Sequence, residues 1–225
     1  MRLRALFFDF DGLLCDTERA AYRSWAELYA EFGLPFGPRL WLQMMGHASG
    51  ESVALADLAD KRGRPVEPEV VARRRQRKFE LSHQEPLRPG IAGLLDAADE
   101  RGLNRAVVSS SARSWVEPHL VRLELLDRFP VVVTGDDVTW PKPAPDLYEA
   151  ALAATGTAAA EVLVFEDSAA GVRAARAAGL RVVALPGAVG TRSGLDAADL
   201  VLDPEDLATR TLDELVSEIE STVAA

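Results

Sequence analysis

Asp9-Phe10-Asp11-Gly12 closes the apolar run of residues 3–8, and the reading of these four residues decides the fold. Aspartate is a poor strand residue, and burying two unpaired negative charges together is costly. Carboxylates on alternate residues just past a hydrophobic strand therefore do little for stability. A hard cation resolves the conflict, because Mg2+ takes oxygen ligands and often uses one or two protein carboxylates plus phosphate. Gly12 allows a turn that a residue with a Cβ resists. A plainer reading, a strand ending in an Asx-type turn, fits the same residues, and only the rest of the chain separates the two.

Downstream, the period changes. Tyr22, Trp25, Ala26, Tyr29 and Phe32 recur at helical spacing through residues 17–32, with Asp16 or Thr17 as N-cap and Gly33-Leu34-Pro35 as the stop. Further helical patterns cover residues 40–45, 51–61 and 68–82, and nothing between residues 17 and 85 alternates like a strand. This reads as an all-helical module inserted after a first strand. Pro86-Leu87-Arg88-Pro89-Gly90 brings the chain back, its two prolines suiting a stiff hinge.

From there helix and strand alternate. Helices are expected over residues 91–101, 112–121, 146–154, 168–178 and 212–223, and strands over 105–108, 131–133, 162–165, 181–185 and 200–201. Short apolar strands alternating with helices predict an α/β fold, a doubly wound parallel sheet. Residues 1–15 and 88–225 would form this Rossmann-like core, and residues 16–87 the helical cap. Ligands of such folds gather at the carboxyl ends of the strands, where Asp9, Ser109 and Glu166-Asp167 fall.

Composition limits the function. At 225 residues the chain can bury a substantial core. Thirty-five acidic residues against 25 basic ones, a net charge of −10, disfavour a nucleic-acid surface. The single cysteine, Cys15, excludes an internal disulfide and fits a reducing cytoplasm; it reads as a small buried hydrophobe rather than a reactive thiol. No run approaches the roughly 20 apolar residues of a membrane span, and the early break at Asp9 argues against a signal peptide. A soluble cytoplasmic protein, monomer or homodimer, is expected.

Three further stretches carry chemistry. Ser109-Ser110-Ser111 follows a strand and opens a helix; serine is a preferred N-cap, and a helix N-terminus with hydroxyls is also a ready anion site. Lys142, in Trp140-Pro141-Lys142-Pro143-Ala144-Pro145, is either an exposed lysine on a rigid turn or a point charge for an anion. Glu166-Asp167-Ser168 ends another strand, and Asp167 either caps the next helix or joins the first acidic pair.

Taken in order with Asp9-Phe10-Asp11-Gly12-Leu13-Leu14-Cys15-Asp16-Thr17-Glu18, these stretches resemble the four motifs of the haloacid dehalogenase-like hydrolases, in the subfamily of beta-phosphoglucomutase and its phosphatase relatives. Pro141 stands where the third motif has a glycine. The resemblance implies Asp9 as nucleophile forming an aspartyl-phosphate, and Asp11 as general acid and base. Ser109 and the backbone N–H of Ser110 would bind the phosphoryl group, and Lys142 would offset its charge. It also implies Mg2+ held by Asp9, the backbone carbonyl of Asp11 and Asp167, with Glu166 acting directly or through water. Dehalogenase relatives lack the second aspartate, so the substrate implied is a small phosphorylated metabolite.

In the helical module, Arg75 lies four residues from both Val71 and Phe79, which predicts an inward-facing arginine; the resemblance to the phosphotransferases, where a basic residue near here reaches the substrate, implies that role for it. His47, in Gly46-His47-Ala48-Ser49-Gly50, could line the cleft; His83 and His119 read as incidental. The leading expectation is a Mg2+-dependent phosphatase. The alternatives are a phosphomutase and an idle binding module. Mutase relatives carry a histidine where this chain has Ala21 and an arginine where it has Ser49.

Overall fold

The computed structural model describes residues 2–44 and 50–223. Its centre is β1 (Ala5–Phe8), four residues with no exposed surface. Side chains alternate across a strand, so Leu6 and Phe8 enter one apolar layer while Ala5 and Phe7 enter the other. A strand apolar on both faces belongs inside a parallel sheet covered on both sides, and this one sits there.

The remaining strands are β2 (Asn104–Val108), β3 (Val131–Val133), β4 (Val162–Glu166), β5 (Arg181–Ala184) and β6 (Leu200–Val201). All pair in parallel in the order β3-β2-β1-β4-β5-β6. The doubly wound sheet expected from the sequence is present. Helices α5 (Ile91–Glu100) and α6 (Arg113–Arg122) and the closing α10 (Leu212–Val223) contribute to the Phe8 layer, and α7 (Asp146–Thr155) and α8 (Ala169–Ala177) to the Phe7 layer. A short helix not foreseen, α9 (Pro204–Leu207), precedes the last. Phe8 stacks on Phe165 with ring centroids 5.1 Å apart; truncating either ring to alanine would cost roughly 3–5 kcal/mol.

Register places the site. Phe8 lies level with Val107 on one side and Phe165 on the other. The residues that follow these three strands therefore emerge side by side at one edge, and the Asp9 amide bonds the Phe165 carbonyl at 3.0 Å.

Between β1 and the return at Leu87, the described residues form only helices: α1 (Thr17–Glu31), α2 (Pro38–Met44), α3 (Gly50–Arg62) and α4 (Pro68–Ser82). They enclose their own apolar cluster of Trp25, Leu28, Tyr29, Trp41, Met44 and Leu58. The outgoing and returning connections run together, because Cys15 bridges both Asp11 and Leu87. Arg88, buried between the two prolines, donates to the carbonyls of Gly12, Leu185 and Pro186. No helix among the described residues is long and apolar enough to cross a membrane.

Candidate active site

Three carboxylates converge where β1 and β4 end. Oxygens of Asp9, Glu166 and Asp167 lie within 4.8 Å of one another. Lys142, from the loop before α7, enters this acid cluster with its side chain only 4% exposed. Its Nζ donates to Asp9 Oδ1 at 2.5 Å, to Glu166 Oε1 at 2.6 Å and to the Val108 carbonyl at 2.6 Å. Burial alone would lower the lysine's pKa, but the Asp9 and Glu166 carboxylates raise it overall and keep the ammonium charged. Glu166 is fully buried and its oxygens are also bonded by the hydroxyls of Tyr148 at 2.6 Å and Ser168 at 3.2 Å. It holds the lysine in place beneath Asp9.

One ammonium does not neutralise three acids. Burial pushes the Asp9 carboxyl up to about 8, with Lys142 opposing and Glu166 and Asp11 adding to the rise. Burial, then the Asp9 and Glu166 charges, raise Asp167 well above the usual carboxylate range. The Asp167 carboxylate accepts no hydrogen bond and forms no ion pair among the described residues. Buried oxygens with unmet charge and unused lone pairs suit a hard divalent cation, so the residues present fit Mg2+. Two glycines make the close packing here feasible. A Cβ on Gly12, whose φ is +80°, would stand 1.9 Å from Asp167 Oδ2, and one on Gly171 in α8 would stand 1.9 Å from Glu166 Oε1.

Asp11 points away from this cluster. Its Oδ1 accepts from the Thr17 hydroxyl at 2.6 Å and the Trp115 indole N–H at 2.9 Å, and its Oδ2 from the Ser111 hydroxyl at 2.5 Å. Asp9 thus faces charged partners and Asp11 neutral donors. The sequence pointed to neither Ser111 nor Trp115 as a partner of Asp11; only Thr17 stood within the motif.

Ser109 is buried beside the trio's strand ends, and its hydroxyl accepts from the Ser111 amide at 3.1 Å, while Ser110 is exposed. The expected serine N-cap is corrected. The N-cap of α6 is Ala112, which makes no side-chain cap bond, and the Arg113 amide is met by Asp136 at 2.8 Å.

The helical module also corrects one expectation. Arg75 does not face inward: its side chain is 65% exposed and its Nε donates to Glu51 at 3.0 Å. The inward arginine is Arg74, which lies 4.3 Å from the Trp25 ring and 3.2 Å from Glu51 Oε2. Lys78, on the side of α4 that meets α6, places its Nζ 4.7 Å over the Trp115 ring. Burial pushes nearby Glu18 up to about 6, with Lys78 opposing. Ala21 is buried in α1; His47 and Ser49 lie outside the described residues.

A family model described as haloacid dehalogenase-like hydrolase matches residues 6–185. The chain is 34% identical to CbbY of Rhodobacter capsulatus over 226 residues, covering 96% of this chain and all of that one. It is 29% identical to the phosphorylated carbohydrates phosphatase of Thermotoga maritima, covering 79% of this chain and 82% of that one. The crystal structure of CbbY from Rhodobacter sphaeroides in complex with phosphate superposes with a TM-score of 0.71 at 28% identity, covering 92% of this chain and 95% of that one.

Proposed function

The chain belongs to the haloacid dehalogenase-like hydrolases, and from that premise we propose that it hydrolyses a small phosphomonoester, a sugar phosphate or similar metabolite, through an aspartyl-phosphate on Asp9. The observation that carries the reading is the contrast between two aspartates on alternate residues. Asp9 is paired with a buried ammonium, as a nucleophile awaiting an anionic phosphoryl group requires; Asp11 is held off by hydroxyls and an indole, as a proton carrier requires.

In the first half-reaction an Asp9 oxygen attacks phosphorus. The ester P–O bond breaks, its electron pair stays on the leaving oxygen, and Asp11 passes its proton there. In the second, Asp11 takes a proton from water as the water oxygen attacks phosphorus. The acyl-phosphate bond breaks, giving inorganic phosphate and free Asp9. Lys142, Ser109 and the Ser110 amide face the charge on the phosphoryl oxygens. Asp9, Asp167 and the Asp11 carbonyl would hold Mg2+, with Glu166 beside them. When bound, the ion supplies positive charge that favours the ionised nucleophile and offsets the phosphoryl group.

Residues 16–87 act as a cap in this reading, with Lys78, rather than Arg75, offering a cation to the leaving group. A phosphomutase must grip a second phosphate, a task suited to arginine; Ala21 and Ser49, in place of the mutases' histidine and arginine, favour hydrolysis. The net charge of −10 does not favour a nucleic-acid partner. The test is a panel of phosphorylated metabolites assayed for released phosphate. It includes beta-glucose 1-phosphate with catalytic glucose 1,6-bisphosphate. Phosphate release from at least one ester supports the reading; efficient isomerisation with little phosphate released overturns it.

A further inference from the structure

We propose that Trp115 is a positioning residue for Asp11: its indole N–H fixes the carboxylate that carries the proton, an assignment that rests on the hydrolytic reading above. Thr17 and Ser111 are hydroxyls, which rotate and can donate or accept. The indole can only donate, and its direction is set by the packing of a large ring. Among the described residues it is therefore the one side-chain partner of Asp11 whose geometry is fixed by the fold.

The ring is held from several sides. It lies 4.7 Å from the His119 ring and 6.2 Å from Phe79, with the Lys78 ammonium over its face. Phe79 and Lys78 belong to α4 and Trp115 to α6, so the ring is seated where the helical module meets the core. The same face of α6 grips the end of α4 twice more. His119 packs on His83 at 4.5 Å, and Arg122 donates to the Ser82 carbonyl at 3.2 Å and the Glu85 carbonyl at 2.8 Å. Trp115, His119 and Arg122 follow helical spacing and form one stripe. At one end of this stripe the indole reaches Asp11 Oδ1 at 2.9 Å. The seating of α4 on α6 thus fixes the orientation of the acid–base carboxylate.

The separating variant is Trp115→Phe, which keeps a packed ring and removes the N–H. The rate of the first half-reaction, read as alcohol or nitrophenolate release in a single turnover, is compared on p-nitrophenyl phosphate, whose leaving group departs without a proton, and on whichever alkyl phosphate the wild type cleaves fastest. Loss of one hydrogen bond to a charged group should slow alcohol release from the alkyl ester about ten-fold, with nitrophenolate release in the first turnover little changed, while the shared phosphoenzyme hydrolysis slows for both esters. In an Asp11→Asn background the same substitution should add no further loss, because both changes remove one function. Equal loss in the first half-reaction of the two esters, or an additive loss in the Asp11→Asn background, overturns the assignment.

A readout independent of turnover is the tryptophan N–H spectrum of 15N-labelled protein. The signal missing from Trp115→Phe should move in Asp11→Asn. If the wild type cleaves neither ester, the hydrolytic reading fails, and with it the proton role. The contact itself is then judged by that signal, and its failure to move overturns the contact too.

Discussion

Replacing Lys142 by methionine tests the electrostatics of the site apart from catalysis. Methionine keeps most of the side chain's length and removes its charge. The ammonium touches Asp9, Glu166 and a main-chain carbonyl, all at 2.5–2.6 Å, and the two carboxylates are 9% and 0% exposed. Removing one member of a buried pair costs roughly 3–5 kcal/mol, because the remaining charge is left uncompensated. Here two charges are left, but proton uptake by one of them limits the penalty, so a loss near the lower end, about 3 kcal/mol, is expected. Adding Glu166→Gln should bring the protein back toward wild-type stability, since it removes one of the stranded charges. Urea unfolding in EDTA, followed by circular dichroism and by tryptophan fluorescence together, measures both variants and checks that the transition is two-state. A loss below about 1 kcal/mol, the scale of an exposed ion pair, would refute the reasoning, as would further destabilisation by Glu166→Gln.

Asp11→Asn should reduce turnover of an alkyl phosphate by roughly 10²–10⁴-fold, the range of a positioned acid–base group; near-normal rates would remove Asp11 from proton transfer. EDTA should abolish activity and Mg2+ restore it, whereas Ca2+ should bind but support little turnover because its coordination is longer and looser; full activity in chelator would contradict the metal site. Burial pushes the Cys15 thiol up to about 12, with Arg122 opposing, and the thiolate is the reactive form. Iodoacetamide at mildly alkaline pH should therefore spare the native protein and label it in urea, and rapid native labelling would contradict the burial.

The core was legible because its signals are local. Residues 5–8 are apolar on both faces and strands alternate with helices after residue 90, so the α/β order and the strand-end places of Asp9, Ser109, Glu166 and Asp167 could be read in advance, whereas the gathering of Lys142 with the acids was implied only by the resemblance to the four motifs. What failed was set at longer range. Helical spacing with Phe79 on the buried face of α4 puts Arg75 inward. In the fold Phe79 is 39% exposed and packs on α6 beside the connection. That turns the inner face by one residue, to Arg74. The hinge reading of residues 86–90 rests on the prolines and gives Arg88 no role, yet Arg88 ties the Gly12 carbonyl to the adjacent carbonyls of Leu185 and Pro186. Ser111 and Trp115 reach Asp11 from about 100 residues away in sequence, and no spacing pattern encodes such a contact.

The central claim is that Asp9 carries the phosphoryl group. It is tested most directly by rapid acid quench of the Asp11→Asn variant turning over p-nitrophenyl phosphate, whose first step needs no proton donor while the second lacks its base. Borohydride reduction and peptide mass spectrometry then locate the modified residue. The account predicts a phosphoenzyme that reduces to homoserine at position 9 and is absent when Asp9 is also replaced by asparagine. Phosphate release by Asp9→Asn at a rate near wild type, or a phosphoryl group found on Ser109 instead, would contradict it.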